Sequence, residues 1–141
     1  MLDRILRSRA LPKLIDGNTH ALLDALTVSG FFMLAGLFWG RHKRAAATAL
    51  INGIAVMGVS VFTDYPGGQS GPISFEDHGR ADIMQAVMAA GMPTILGFGS
   101  NAAAIPFRMQ AIVESLVIGM TDWEAAYAAE YDEEIPEYSV A

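Results

Sequence analysis

The chain has 141 residues, 52% of them hydrophobic and 17% charged, with a net charge of −6 and no cysteine. That length makes one domain, and so apolar and charge-poor a composition points to a membrane rather than to a soluble domain. The lack of cysteine excludes a disulfide framework, a thiolate metal site and a thiol catalyst.

The opening residues 1–14, "MLDRILRSRALPKL", are basic. They lack the continuous apolar run and small-residue cleavage site of a secretory signal. They read as a retained interfacial segment with Leu2, Ile5 and Leu6 on the lipid side. Four apolar segments follow, near 19–39, 45–63, 80–98 and 103–121. From Leu22 to Gly40 the only charge is Asp24, and from Ala45 to Thr63 there is none. Such runs match the ~20 residues a helix needs to cross a ~30 Å hydrocarbon core. The breaks between them are a basic turn, "GRHKR", a Gly- and Pro-rich stretch, "DYPGGQSGPISFEDHG", and a short "GSNAA". Short, long, short is the rhythm of two helical hairpins joined by a linker. The tail, 124–141, carries Glu130, Asp132, Glu133, Glu134 and Glu137 among tyrosines and no Lys or Arg. It reads as a solvated acidic segment, with an arm laid on a basic partner as the alternative.

The hairpins repeat. His20 and Asp24 in "NTHALLDAL" return as His78 and Asp82 in "EDHGRADIM", 58 positions on (78 − 20 = 82 − 24 = 58). At the same offset Ile15 falls on Ile73, Asn52 on Gln110, Thr63 on Thr121, Asp64 on Asp122, and Tyr65 on Trp123. This reads as an internal duplication, 15–65 and 73–123 with 66–72 as linker. Each unit holds two spans, an even number, so both insert the same way up, and the pseudo-twofold axis runs along the membrane normal. His20, Asp24, Asp64, His78, Asp82 and Asp122 then gather at one membrane face. Tyr65 and Trp123 are expected as interfacial anchors there.

The motifs "HALLD", "HGRAD", "NGIAVMG", "MPTILGF" and the closing "TDY" and "TDW" resemble the small bacterial membrane proteins with SPW-type two-helix repeats. The resemblance covers residues 11–123. It implies the tandem two-helix architecture and a bacterial inner (plasma) membrane location, for a family whose biochemical role is unassigned.

His20 and Asp24, at i and i+4, share one helix face, with the carboxylate about 6 Å deeper. A carboxylate at that depth needs a partner or water. One reading pairs each His with the acid at the far end of its own hairpin, His20 with Asp64 and His78 with Asp122. Asp24 and Asp82 are then left to backbone amides or the Thr63 and Thr121 hydroxyls. The other reading takes two His and four Asp as a nitrogen and oxygen ligand set for a divalent metal. A proton relay through the same residues is a third. Glu114 lies mid-span where the first copy has Val56. An intramembrane acid is a functional candidate; its structural alternative is that Glu114, with Gln110 at i−4, hydrogen-bonds Asn52 or Ser60 across the bundle or faces a partner subunit.

The sequence thus predicts an all-α integral membrane four-helix bundle of two tandem two-helix repeats. Its expected role is structural or accessory, as a small subunit of a larger membrane assembly. The expected partners are the lipid bilayer and other membrane subunits or a second copy, with no nucleic acid. The alternative is a metal-binding or proton-handling membrane protein, with a divalent metal as cofactor. An enzyme is the weakest class, because the chain shows no nucleotide loop and no nucleophile and base arrangement.

Overall fold

The computed structural model describes residues 1–66, 68 and 70–124. It consists of helices α1 (Leu2–Leu6), α2 (Gly17–Phe38), α3 (Lys43–Val61), α4 (Phe75–Ile95) and α5 (Ile105–Met120), the last entered through a 3-10 turn, Ala102–Ala104. Among the described residues there is no strand, only two isolated bridges. The acidic tail lies outside the described residues from position 125 onward.

Helix starts follow the local chemistry. The Asp16 carboxylate accepts from the Thr19 amide (2.8 Å) ahead of α2, and the Ser74 hydroxyl from the Asp77 amide (3.1 Å) ahead of α4. Each satisfies a backbone donor that the helix itself leaves open. His42 does the same for α3, its Nδ1 accepting from the Ala45 amide at 3.1 Å. The Ser74 cap, with Glu76 and Asp77 favourably placed in the first turn, starts α4 earlier than the apolar run beginning at 80 predicts. Gly97, at φ +73°, closes the same helix, a conformation that costs residues with a Cβ.

Three helices, α2, α3 and the Ala102–Met120 stretch, are long and apolar enough to cross a membrane. α4 is of similar length, but Glu76, Asp77, Arg80 and Asp82 occupy its first two turns. The distribution of residues is inverted relative to a soluble bundle. Leu22, Met33, Leu37, Ile54, Val87, Ile95 and Ile112 are more than half exposed, while His20, Asp24, Asn52, His78, Asp82 and Glu114 are buried. An apolar exterior around a polar interior is what lipid, not water, stabilises.

α2 packs on α3, α4 on α5, and α3 on α4. At the end nearest the basic turn, Phe31, Phe98 and Phe107 fill the centre, with Phe31 and Phe107 stacked at 6.3 Å between centroids. Ala45, Ala49 and Ala89 beside them let the backbones approach. The opposite end is tied by the two bridges. Ile15 accepts from the Asp122 amide (2.8 Å) and donates to the Met120 carbonyl (3.1 Å), while Ile73 accepts from the Asp64 amide (2.8 Å) and donates to the Phe62 carbonyl (3.0 Å). These pairings recur at the 58-residue spacing, and each joins the entry of one hairpin to the exit of the other.

Leu6, expected on a lipid-facing side, is instead buried, packed with Tyr65, Phe75, Ile118 and Trp123. Its helix folds back over the bundle end, where Lys13 donates to the Leu6 and Gly119 carbonyls (3.1 Å each). At Gly71 the long connection passes close to the end of α3. A Cβ there would run into the Phe62 carbonyl and lie 2.9 Å from the Thr63 carbonyl carbon. Gly71→Ala is therefore expected to cost ~2 kcal/mol or more, seen as a lowered thermal midpoint in detergent; an unchanged midpoint would show that the connection is not held against Phe62.

Candidate metal centre

Four helix ends meet in one place. His20 and Asp24 project from the first turns of α2, His78 and Asp82 from the first turns of α4, and Thr63 and Thr121 follow the ends of α3 and α5. All six are buried. His20 Nε2 lies 3.1 Å from Asp82 Oδ2 and 3.6 Å from Asp24 Oδ1; His78 Nε2 lies 3.1 Å from Asp24 Oδ2 and 3.3 Å from Asp82 Oδ2. Each histidine therefore faces the carboxylate of the other hairpin as well as its own. Pairing of His20 with Asp64 and of His78 with Asp122 does not occur. Asp64 is exposed, and Asp122 is half-buried near Lys13, so neither reaches the cluster.

The threonines decide the histidine tautomers. Thr63 Oγ1 donates its single proton to the Val59 carbonyl (2.7 Å), and Thr121 Oγ1 to the Val117 carbonyl (2.7 Å). Each hydroxyl can then only accept from the imidazole beside it, from His78 Nδ1 at 2.7 Å and from His20 Nδ1 at 2.9 Å. With Nδ1 carrying the proton, both Nε2 atoms turn their remaining valence toward the two carboxylates. The expectation that the threonines serve Asp24 and Asp82 is thus corrected, since they hold the imidazoles.

The two Nε2 atoms are not equivalent. His20 Nε2 is in hydrogen-bonding geometry with Asp82. His78 Nε2 is buried with no hydrogen-bond partner, although two carboxylate oxygens stand within 3.3 Å. It is aligned for a hydrogen bond with neither. One ligand atom from each of His20, Asp24, His78 and Asp82 can be chosen so that all lie within 4.8 Å of one another. A tetrahedral ion with bonds of ~2.0–2.1 Å has ligand separations of about 3.3–3.4 Å. Three N···O separations, to Asp82 Oδ2 from both histidines and to Asp24 Oδ2 from His78, are 3.1–3.3 Å, close to that value. The fourth, 3.6 Å, runs from His20 to the other Asp24 oxygen, so a tetrahedral ion would have to draw the four side chains in.

Comparison with protein-family models, with curated proteins and with solved structures finds no match. The geometry of the site stands on its own.

Around the cluster lies a shell that sequence reasoning placed elsewhere. Tyr65 and Trp123, expected as interfacial anchors, are buried. The Tyr65 hydroxyl donates to Asp24 Oδ2 at 2.6 Å, and Ser60 donates to the same oxygen at 3.2 Å. Burial, with the Asp24 charge beside it, pushes the Tyr65 phenol up, so it stays a donor. Trp123 packs edge-on to His20, with centroids 4.9 Å apart, and against Phe75 at 4.6 Å. Its indole N–H donates to the Ile118 carbonyl (3.0 Å). The available signal was the 58-residue spacing of Tyr65 and Trp123, because two large aromatics at that spacing are as consistent with a lid as with an anchor.

The mid-span polar residues form a separate layer. Gln85 donates to Asn52 Oδ1 (2.8 Å), closing the seam between α3 and α4. Gln110 donates to Glu114 Oε2 (3.0 Å) and to Thr27 Oγ1 (3.3 Å). Glu114 and Gln110 therefore turn toward α2, not toward Asn52 or Ser60. Gln85 and Thr27, equivalent at the 58-residue offset, are the partners the sequence reading missed. Tyr65→Phe removes a donor from a buried carboxylate, which is expected to cost ~1–3 kcal/mol. Thermal unfolding in detergent measures it, and a wild-type midpoint would mean that water replaces the phenol.

Proposed function

We propose that this chain is an integral membrane protein whose His20, Asp24, His78 and Asp82 hold one divalent transition metal. Its architecture is a four-helix bundle of two tandem two-helix repeats of the SPW type, with the pseudo-twofold axis along the membrane normal. The observation that carries the metal reading is the buried His78 Nε2, within 3.3 Å of two carboxylate oxygens and hydrogen-bonded to neither. Charge supports it: two carboxylates, two neutral imidazoles and one divalent cation sum to zero. Buried charge costs several kcal/mol per ion when uncompensated. The alternative compensation, two imidazolium ions, also sums to zero but leaves the His78 Nε2 proton without an aligned acceptor. Imidazole and carboxylate together suit zinc, iron or manganese. The Thr63 and Thr121 hydroxyls act as the outer partners that orient metal-binding imidazoles.

A second reading has one observation in its favour. The hydrogen-bonded His20–Asp82 pair crosses between the hairpins, and such a pin suits a structural or accessory subunit with no metal. Elemental analysis of protein purified without chelators separates the two. About one zinc, iron or manganese per chain is expected, with Thr63→Val and Thr121→Val weakening affinity by ~10–100-fold. Folded protein with negligible metal would leave only the structural pin.

Membrane crossing by α4 is supported by its exposed Met84, Val87 and Ile95. The chain has no cysteine, so single cysteines at Ser70 and Ser100, on either side of α4, report directly. A membrane-impermeant maleimide is expected to reach them from opposite sides of the membrane, and labelling of both from one side would rule out a spanning α4.

A further inference from the structure

The two seams between the hairpins differ. α3 packs closely on α4, whereas the backbones of α2 and α5 stand further apart and meet through long side chains, the Phe31–Phe107 stack and the Gln110–Thr27 contact. A cleft of about 260 Å³ separates them, with apolar walls that include Phe31 and Val113 and with Asp24, Thr27, Gln110 and Glu114 as its polar groups. In the closed seam Val56 stands at the position equivalent to Glu114, and Gln85 and Asn52 bond directly at 2.8 Å. In the open seam the equivalent pair, Thr27 and Gln110, is stretched to 3.3 Å, and Gln110 turns to the Glu114 carboxyl as well. The acid and the opening thus coincide.

Glu114 is 5% exposed and forms no ion pair among the described residues. The cleft holds two carboxyl groups, Glu114 and Asp24, and no basic side chain lines it. Asp24 is already matched by His78, Tyr65 and Ser60. Among the described residues Glu114 has a single amide donor, so it is the group whose charge, once formed, the protein itself would leave uncompensated. Room is available too, because a Cβ on Gly30, at the cleft wall, meets nothing within 4 Å.

We propose that the α2–α5 cleft binds an organic cation with an apolar body, its substituted ammonium group set against Glu114. The apolar walls take the body, and Thr27 and Gln110 orient the carboxyl. An apolar pocket with a few convergent polar groups is the usual form of a small-molecule site. The mostly apolar walls give a bare inorganic cation little to coordinate it, and a neutral lipid chain leaves the carboxyl unmatched. This site does not depend on metal at the His/Asp cluster.

The test uses the full chain in detergent and tritiated benzyltrimethylammonium in equilibrium dialysis. Wild type is expected to bind saturably, with Glu114→Gln weakening affinity at least about tenfold. Gly30→Leu, which fills the cleft without touching the acid, is expected to weaken it similarly. Neopentylbenzene, the uncharged isostere, should fail to displace the label. Absence of saturable binding, wild-type affinity in either variant, or displacement by neopentylbenzene would each overturn the proposal, the last by showing an apolar cleft filled by any chain. Metal content measured on the same preparations keeps the two sites apart: loss of cation binding with metal retained places the effect in the cleft, and absence of metal with cation binding retained sinks only the cluster.

Discussion

The crossing of the histidines over the hairpin boundary, His20 to Asp82 and His78 to Asp24 at 3.1 Å each, is the interaction on which the rest depends. A carboxylate buried in an apolar bundle is unstable without compensation. Here compensation comes from both hairpins, Asp24 taking Tyr65 and Ser60 from its own and His78 from the other, so each aspartate has its full set of partners only when the hairpins meet. Four helix ends must then converge. The bridges of Ile15 with the residues after α5, and of Ile73 with those after α3, follow from that convergence, because they bring Thr121 and Thr63 to the imidazole Nδ1 atoms.

Two ends of the bundle solve the packing problem differently. Away from the cluster, Phe31, Phe98 and Phe107 fill the interior and alanines set the helix spacing. At the cluster end the interior is polar, and the apolar groups lie outside it as a cap of Leu6, Phe75 and Trp123. That cap excludes water, which strengthens every electrostatic contact beneath it. It also explains why the short α1, too short to be stable alone, is folded back instead of lying free.

The departures from the 58-residue equivalence are as informative as the matches. Where the two halves agree, at His, Asp and Thr, the chain builds one shared polar centre. Where they differ, the difference opens something. Tyr65 supplies a donor to Asp24, while its counterpart Trp123 supplies a wall to His20. Val56 sits in a closed seam, whereas Glu114 sits beside a cleft. A metal in the shared centre and a cation in the open seam would use these two kinds of position separately.

Much of this was legible in the sequence, for identifiable reasons. Helical segments follow from uninterrupted apolar runs between Gly- and Pro-rich breaks, and the buried His/Asp residues from their recurrence at one spacing, which no lipid-facing surface requires. The membership of the cluster was not legible. Asp64 and Asp122 repeat as faithfully as Asp24 and Asp82, yet they lie beyond the helix ends, where the chain turns outward. Nor could spacing say whether a histidine meets its own hairpin or its neighbour, since both satisfy the same periodicity. Tyr65 and Trp123 carry the composition of interfacial anchors but are turned inward by loops whose paths backbone pairing sets. By itself the sequence determined which residues need burial or a partner, because hydrophobicity and charge are local properties. Only the tertiary structure decided who those partners are and which seam stays open, because both depend on how the two hairpins pack against each other.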